Sequence, residues 1–274
     1  NCFFASASSV SPEVMVSFAS SSCALASASS VSASAFLSFS SSSASEISAL
    51  PSDVRRSKRA LTEAVAAEAV AIGADLIVAH HPLMNCAWHK VQHVTTDDAQ
   101  GRTITTLLKN NVSAICMHTN LDAAEGGVND ILAKKLGLLD TEYLNEEKIG
   151  RVGTLKCELP LVEFTRFVVK SLGCNGLRYT DCGKPVHRVA VGGGACGDYI
   201  AQAVALGCDT FVTSDLRYHD FLDTKELNLI DAGHFPTEQV IVPELCRRLQ
   251  AAFPAASVST STSHRCEVIQ YCII

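Results

Sequence analysis

A chain of 274 residues is long enough for one large domain or two lobes around a substantial core. The formal net charge of −6 excludes a general electrostatic attraction to nucleic acid or to an anionic membrane, so neither is expected as a partner. The twelve cysteines are scattered without any C-x-x-C spacing, which predicts reduced thiols in a cytoplasmic protein.

Residues 1–54 differ in composition from the rest of the chain. Twenty of the first fifty residues are serine, and no lysine or arginine precedes Arg55. We expect a low-complexity leader that is disordered or that stems from a wrong reading frame. A Ser-rich, acid-poor segment also fits an organellar transit peptide, although the missing arginines argue against a mitochondrial one. No run is apolar enough to predict a transmembrane helix.

The first lobe, predicted for residues 55–145, begins with a helix over 60–72 and a buried strand over 76–79. That strand ends in His80, His81 and Pro82, and the proline stops the sheet ladder. Adjacent side chains of an extended chain point to opposite sides, so the two histidines suit two ions, or one ion and its surroundings. The alternative is a core histidine with a local hydrogen bond.

A second buried strand, predicted over 112–117, also delivers a histidine to a loop. His118 follows it, and Asp122 lies four residues later as either a turn residue or a carboxylate ligand. Helices are predicted over 102–110 and 129–136. His89 and His93 share the same spacing, but their polar neighbours favour a solvated loop over a metal site.

The second lobe, predicted for residues 146–274, alternates strands and helices. The predicted elements are a strand over 152–158, a helix over 161–172, a strand over 187–191, a helix over 198–206 and a returning strand over 267–274. Residues 140–150 are expected to be a connection.

Residues 192–197 read G-x-G-x-x-G, and Asp215 lies near the distance at which a dinucleotide site places its ribose contact. Such a glycine loop before a helix can also be a simple tight connection or an anion-binding site.

Polar residues also follow two later strands of this lobe. After the strand predicted over 210–213, Ser214, Asp215 and His219 are placed to line a cleft, although His219 also fits a helix face with a local hydrogen bond. After a strand over 227–231, His234 lies in a loop. Glu238 lies in the first turn of a helix predicted from 236 to 249.

Histidines and carboxylates therefore follow three separate strands. Because parallel strands end on one side of a sheet, we expect these side chains to meet there. Nitrogen and carboxylate ligands without thiolate suit zinc, iron or manganese. Two carboxylates and three or four imidazoles are enough for two divalent ions, with Glu238 as a bridge. A pair of such ions would lower the pKa of a bridging water.

Four segments resemble one known family. IVAHHPL, MHTNLDAAEGGVND, SDLRYHD and LIDAGHFPTE, in this order, are similar to the signatures of the GTP cyclohydrolase 1 type 2 homologue family, also called NIF-three-like proteins. The resemblance runs from about residue 61 to the C-terminus. It implies an α/β fold of two lobes around a dinuclear metal cleft, commonly assembled as a homohexamer. The implied ligands are His80, His81, Asp122, His234 and Glu238, with His118 as a neighbour or extra ligand. Asp215 and His219 are further candidates, either as extra ligands or as residues that contact the ligands.

The sequence departs from the family pattern in several places. Ser214 replaces a glycine, and Arg217 stands where lysine is common. The W-D-N-x-G-L segment and the first strand are not recognisable near the front, and the only tryptophan is Trp88. A first lobe without that strand would be less stable. The long inserted domain of the family is also missing from residues 150–186.

The resemblance implies a metal-dependent hydrolase acting on a nucleotide such as GTP. The alternative is a protein that binds or hands over metal, or that regulates through contact with other proteins, without turnover. A third interpretation is the dinucleotide site suggested by the glycine loop.

Overall fold

The computed structural model describes residues 14–18, 61–84, 94–263 and 271. A first, four-stranded sheet has the order β10-β1-β2-β3. Its strands are β1 (Val14–Phe18), β2 (Leu76–Ala79), β3 (Ser113–Cys116) and β10 (Ala256–Thr260). β2 and β3 run parallel, whereas β1 is antiparallel to both of its neighbours.

Strand β1 lies inside the stretch that the sequence predicts to be a disordered leader, and for residues 14–18 that prediction is wrong. Met15 is buried and pairs with Ile77 on one side and Ser259 on the other. A short β-prone run gains a complete set of ladder partners there, so β1 fills a strand position that the sequence analysis expects to be missing. The rest of the predicted leader lies outside the described residues, as do His89 and His93.

Helices cover both faces of the first sheet. They are α1 (Glu63–Ala71), α2 (Ala99–Lys109), α3 (Thr119–Ala123), α4 (Val128–Lys135) and α9 (Val242–Ala252). Ile77 packs into the core under α1 and α2, and its neighbour Val78 packs into the core under α9. This alternation follows from the strand period of two. β3 is predicted to be buried, but Ser113, Ala114 and Ile115 are exposed because the strand forms one edge of the sheet.

The second sheet has six strands in the order β4-β5-β7-β8-β9-β6. They are β4 (Leu139–Tyr143), β5 (Arg151–Leu159), β6 (Arg178–Thr180), β7 (Val186–Val191), β8 (Thr210–Thr213) and β9 (Asn228–Asp231). The three central strands β7, β8 and β9 run parallel, and the other pairings are antiparallel. Every residue of β8 and β9 is buried, as expected for strands covered on both faces.

The remaining helices are α5 (Leu161–Leu172), α6 (Ile200–Ala205), α7 (Tyr218–Asp223) and α8 (His234–Glu238), with 3₁₀ turns at Gly197–Tyr199 and Gln239–Ile241. The predicted connection over 140–150 contains most of β4. The helix predicted from 236 to 249 is divided into α8, a 3₁₀ turn and α9, and Pro243 lies in the first turn of α9, where proline is tolerated. The predicted strand over 267–274 lies outside the described residues except for Tyr271.

No helix in the described part of the chain is long and apolar enough to cross a membrane. The cysteines of that part do not form disulfides, which agrees with the reduced state expected from their spacing. They are Cys116, Cys157, Cys174, Cys182, Cys196, Cys208 and Cys246.

Candidate metal centre

The first sheet delivers two histidines to one end of its parallel pair. His80 and His81 follow the last residue of β2, and both are buried. His80 Nδ1 lies 2.7 Å from the carbonyl oxygen of Met117, just beyond β3. Because a carbonyl can only accept, Nδ1 carries the proton of a neutral ring, and Nε2 is left with its lone pair. The backbone therefore selects the nitrogen that faces the cluster.

The next two side chains come from the segment after β3. His118 precedes the short helix α3, and Asp122 lies within it. Asp122 Oδ1 is 3.5 Å from His80 Nε2. The ring centroid of His118 is 5.2 Å from that of His80 and 5.1 Å from that of His81. A loop and one helical turn thus bring a carboxylate and a third imidazole beside the two histidines.

The second sheet contributes His234 and Glu238, which are four residues apart on α8 and therefore share one face of the helix. Glu238 Oε1 lies 2.8 Å from His234 Nε2 and 3.6 Å from His80 Nε2. Its other oxygen, Oε2, lies 2.9 Å from His81 Nε2. Gly233 has φ 87°, which lets the chain turn sharply from β9 into α8. One buried carboxylate therefore contacts three imidazoles from both sheets.

The glycine loop after β7 packs directly against this cluster. Gly194 has φ +67°, and a Cβ atom on it would lie 2.2 Å from Glu238 Oε1. Three N–H groups of the loop already donate to side chains: Gly193 to Asn129, Gly194 to Thr237 and Cys196 to Thr213. The loop therefore closes the cluster with its backbone, and these donors are not available to a dinucleotide pyrophosphate. This argues against the dinucleotide interpretation.

Charge at the centre is concentrated on Glu238. Burial alone would raise the pKa of this carboxyl, but contacts with His234, His80 and His81 hold it well below its ordinary value. At Asp122 burial is the largest cause, and the negative charge of Glu238 adds to it, so the pKa of this carboxyl is raised to about 7 despite the opposing effect of His80. Glu238 is therefore the fixed anion of the group, whereas Asp122 takes up a proton near neutral pH.

The imidazoles respond differently to the same surroundings. Burial, reinforced by His80, lowers the pKa of His118 to about 4, so this ring stays neutral. Burial also disfavours the charged form of His80, but Glu238 and Asp122 outweigh it and raise the pKa of that ring. The two carboxylates therefore favour a positive charge on the His80 side of the cluster and not on the His118 side.

Two buried atoms of the cluster fit a metal site better than a hydrogen-bonded core. His80 Nε2 and Asp122 Oδ1 have no hydrogen-bond partner within the described part of the chain. Two ligands of one tetrahedral ion, each at about 2.0–2.1 Å, lie about 3.3 Å apart. The contacts around Glu238 and Asp122 span 2.8 to 3.6 Å. The donor spacing and the donor types both match a divalent ion such as zinc, iron or manganese.

The side chains that the sequence singles out are placed as follows. The structure brings together the five predicted ligands, with His118 beside them: His80, His81, Asp122, His234 and Glu238. They include two overlapping triads, and within each triad the donor atoms lie within 4.8 Å of one another. The triads are His80–His81–His118 and His81–His234–Glu238. Asp215 contacts His234 rather than the centre of the cluster. His219 is exposed on α7, with its ring 5.7 Å from that of Tyr218.

Sequence reasoning missed the parts of the site that have no metal-binding side chain. The Met117 carbonyl orients His80, and Gly194 makes room for Glu238. A backbone carbonyl gives no signal in residue type. The glycine loop did give a signal, but its pattern fits several kinds of turn.

Comparison with known proteins identifies the family. The family model described as Duf34/NIF3 (NGG1p interacting factor 3) matches residues 60–266. The chain belongs to this family. The resemblance read from the four signature segments is therefore confirmed.

Curated relatives and solved structures agree with this assignment. A GTP cyclohydrolase 1 type 2 homolog of Clostridium perfringens is 36% identical over 198 residues, covering 69% of this chain and 74% of the relative. A protein of the same name from Clostridium acetobutylicum is 33% identical, with 70% and 75% covered. The crystal structure of a Bacillus cereus protein related to NIF3 superposes with a TM-score of 0.64 at 26% identity, covering 71% of this chain and 82% of that one. The Duf34/NIF3 protein described here thus has the mixed α/β fold of the family.

Proposed function

We propose that this Duf34/NIF3 protein holds two divalent metal ions in the cluster and is a metal-dependent hydrolase of a nucleotide such as GTP. The observation that carries the metal proposal is the position of Glu238, whose two oxygens face three imidazoles at 2.8 to 3.6 Å. A carboxylate in that position is suited to bridge two ions. When bound, such ions act as Lewis acids and activate water for attack on carbon or phosphorus.

The residues that would hold the ions are assigned from their donor atoms. They are His80, His81, Asp122 and His234, with Glu238 shared and His118 as a neighbour or extra ligand. The Met117 carbonyl keeps His80 in the form whose Nε2 can bind a cation. Because histidine and carboxylate ligands bind metal in their deprotonated forms, we expect metal affinity to increase with pH.

The substrate class rests on the relatives. Proteins named GTP cyclohydrolase 1 type 2 homolog are up to 36% identical to this chain. A cyclohydrolase acting on GTP would open the imidazole ring of the base at C8 and release formate. The homohexamer is likewise proposed from the family, and light scattering on the purified protein tests it.

Elemental analysis of purified protein tests the metal centre. We expect about two ions per chain, as a two-ion site requires. His81→Ala and Glu238→Ala are each expected to lose at least one ion. His219→Ala is the matched control, because this histidine is exposed on α7. Wild-type protein without tightly held metal, or loss of metal in the control as well, would contradict the proposed centre.

Incubation of the metal-loaded protein with GTP tests the reaction. Release of formate that requires the metal and is lost in Glu238→Ala supports the hydrolase. Absence of formate, together with rapid exchange of the ions with a partner protein, would instead support a metal-handling or regulatory role. Tight binding of a nicotinamide or flavin nucleotide would revive the dinucleotide interpretation.

A further inference from the structure

Asp215 occupies an unusual backbone position at the edge of the metal centre. It follows β8 directly and has φ 55°, a left-handed conformation that costs free energy for any residue other than glycine. Both neighbours are anchored: the Ser214 N–H donates to the Gly194 carbonyl at 3.1 Å, and the Leu216 N–H donates to Asp231 Oδ2 at 3.1 Å. Hydrogen bonds of both neighbours thus hold Asp215 in a conformation that is less favourable for it than for glycine.

The side chain of Asp215 reaches the far side of the His234 ring. Asp215 Oδ2 lies 2.9 Å from His234 Nδ1, while His234 Nε2 lies 2.8 Å from Glu238 Oε1. A carboxylate accepts, so Nδ1 is the nitrogen that carries the proton when the ring is neutral. The other nitrogen, Nε2, then presents its lone pair to the cluster. Ser214 Oγ is a more distant neighbour of Nδ1, at 3.5 Å.

We propose that Asp215 is a positioning residue, which fixes the tautomer and the ring orientation of His234 so that Nε2 binds metal. The inference rests on the proposed metal centre and extends it by one residue outside the ligands. A carboxylate that accepts from the second nitrogen of a metal-binding histidine holds the ring and increases its basicity. Asp215 does not itself need to contact the ion, because its carboxylate lies beyond the imidazole.

A purely structural role makes a different prediction. Aspartate tolerates left-handed turns better than most residues, so Asp215 could serve only to turn the chain after β8. In that case glycine, which adopts positive φ without strain, would replace it without loss. If Asp215 positions His234, glycine relieves the strain but removes the acceptor, so fold stability and metal affinity change independently.

The experiment measures zinc affinity, by competition with a chromophoric chelator, and the visible absorption spectrum of the cobalt-substituted protein. Asp215→Ala is expected to weaken zinc binding by roughly 10–100-fold and to alter the cobalt spectrum. Asp215→Gly should weaken binding in the same way while the metal-free protein melts no earlier than wild type. Asp215→Asn keeps an acceptor oxygen and should lose less affinity than Asp215→Ala.

Asp140 provides the matched control. It is also an aspartate with positive φ, at 50°, but it lies on the exposed edge strand β4 of the second sheet. Asp140→Ala and Asp140→Gly should leave zinc affinity and the cobalt spectrum unchanged. Wild-type affinity and spectrum in Asp215→Ala would overturn the positioning role while leaving the metal centre intact. Failure of the wild-type protein to take up zinc or cobalt would overturn both.

Discussion

The two sheets hold their histidines at the proposed metal centre in different ways. On the first sheet, His80 is completely buried, and its Nδ1 is held by a backbone carbonyl at 2.7 Å. On the second sheet, His234 is 21% exposed, and its Nδ1 is held by the side chain of Asp215 at 2.9 Å. A carbonyl acceptor is present whatever residue occupies position 117, whereas a carboxylate acceptor depends on one side chain. Of these two acceptors, only the one on the second sheet can therefore be removed by a single side-chain substitution.

The two sheets also differ in what they contribute to the space around the Glu238 carboxylate. Glu238 comes from the second sheet, and the glycine loop of that sheet leaves room for one of its oxygens. The first sheet is instead stabilised by contacts away from the cluster, such as the one between α1 and the end of β10. We expect changes on the second sheet to alter metal binding, and changes at those remote contacts of the first sheet to alter only stability.

The largest effect is expected from Gly194→Ala. Its Cβ atom would lie 2.2 Å from Glu238 Oε1, and the Glu238 carboxylate cannot retreat without leaving His234 or His81. We expect this variant to lose about one metal ion per chain or both, since Glu238 is proposed to be shared by the two ions. The measurement is elemental analysis of the purified variant beside wild type.

Gly207→Ala separates the steric effect from backbone strain. Gly207 has nearly the same φ, +69°, but a Cβ atom there would meet nothing within 4 Å. Both variants pay about 1–2 kcal/mol for a left-handed alanine. Only Gly194→Ala should lose metal. Equal metal content in the two variants would show that the glycine loop does not shape the centre.

Side chains at the proposed centre could be predicted from the sequence, whereas the backbone groups that support them could not. His80, His81, Asp122, His234 and Glu238 were predicted as ligands because residue types with metal-binding chemistry follow predicted strands. They were expected to meet at one side of a single parallel sheet. The structure does bring them together, but from two sheets, with β2 and β3 in the first and β9 in the second. The Met117 carbonyl could not be found, because every residue carries one. The left-handed backbone of Asp215 was equally hidden, since it depends on anchors at both neighbours.

Part of the fold was also beyond the sequence pattern. The second sheet forms from one continuous stretch, so its central strands were predicted nearly to their ends. The first sheet joins residues 14–18, 76–79, 113–116 and 256–260, and no local signal indicates which distant strands will pair. β1 was missed because its neighbours are rich in serine and alanine. Its pairing with β2 and β10 outweighs that local composition.

An intermediate effect, on stability alone, is expected from Glu68→Gln. The Glu68 carboxylate on α1 accepts hydrogen bonds from residues 261–263, just beyond β10. Burial would raise its pKa, but these donors lower it to about 2 from the ordinary 4.5. We expect a loss of roughly 2 kcal/mol at pH 7, since hydrogen bonds to charged groups contribute about that much. Thermal unfolding of both proteins measures it.

The lowered pKa also fixes the pH dependence of that difference. The unfolded carboxyl takes up its proton near 4.5 and the folded one near 2, so the stabilisation is complete above about pH 5. It is lost as the pH falls towards 2. The difference in unfolding free energy between wild type and Glu68→Gln should therefore be largest at pH 7 and clearly smaller at pH 3. A gap that does not change with pH, or a change in zinc affinity, would contradict this account.

The smallest effect is expected from Met117→Leu, which changes the side chain but keeps the carbonyl that orients His80. Met117 is buried in the core under α9, where leucine has a similar volume, so the cost should be roughly 1 kcal/mol or less. Zinc affinity should stay at the wild-type value. The competition assay used for the Asp215 variants measures this affinity. A loss of about tenfold, the lower end of the effect expected for Asp215→Ala, would show that the Met117 side chain also holds His80. Wild-type affinity here beside weakened affinity in Asp215→Ala would support the division between the two sheets, because Asp215→Ala removes the partner of a ring Nδ1 whereas Met117→Leu leaves the equivalent backbone partner in place.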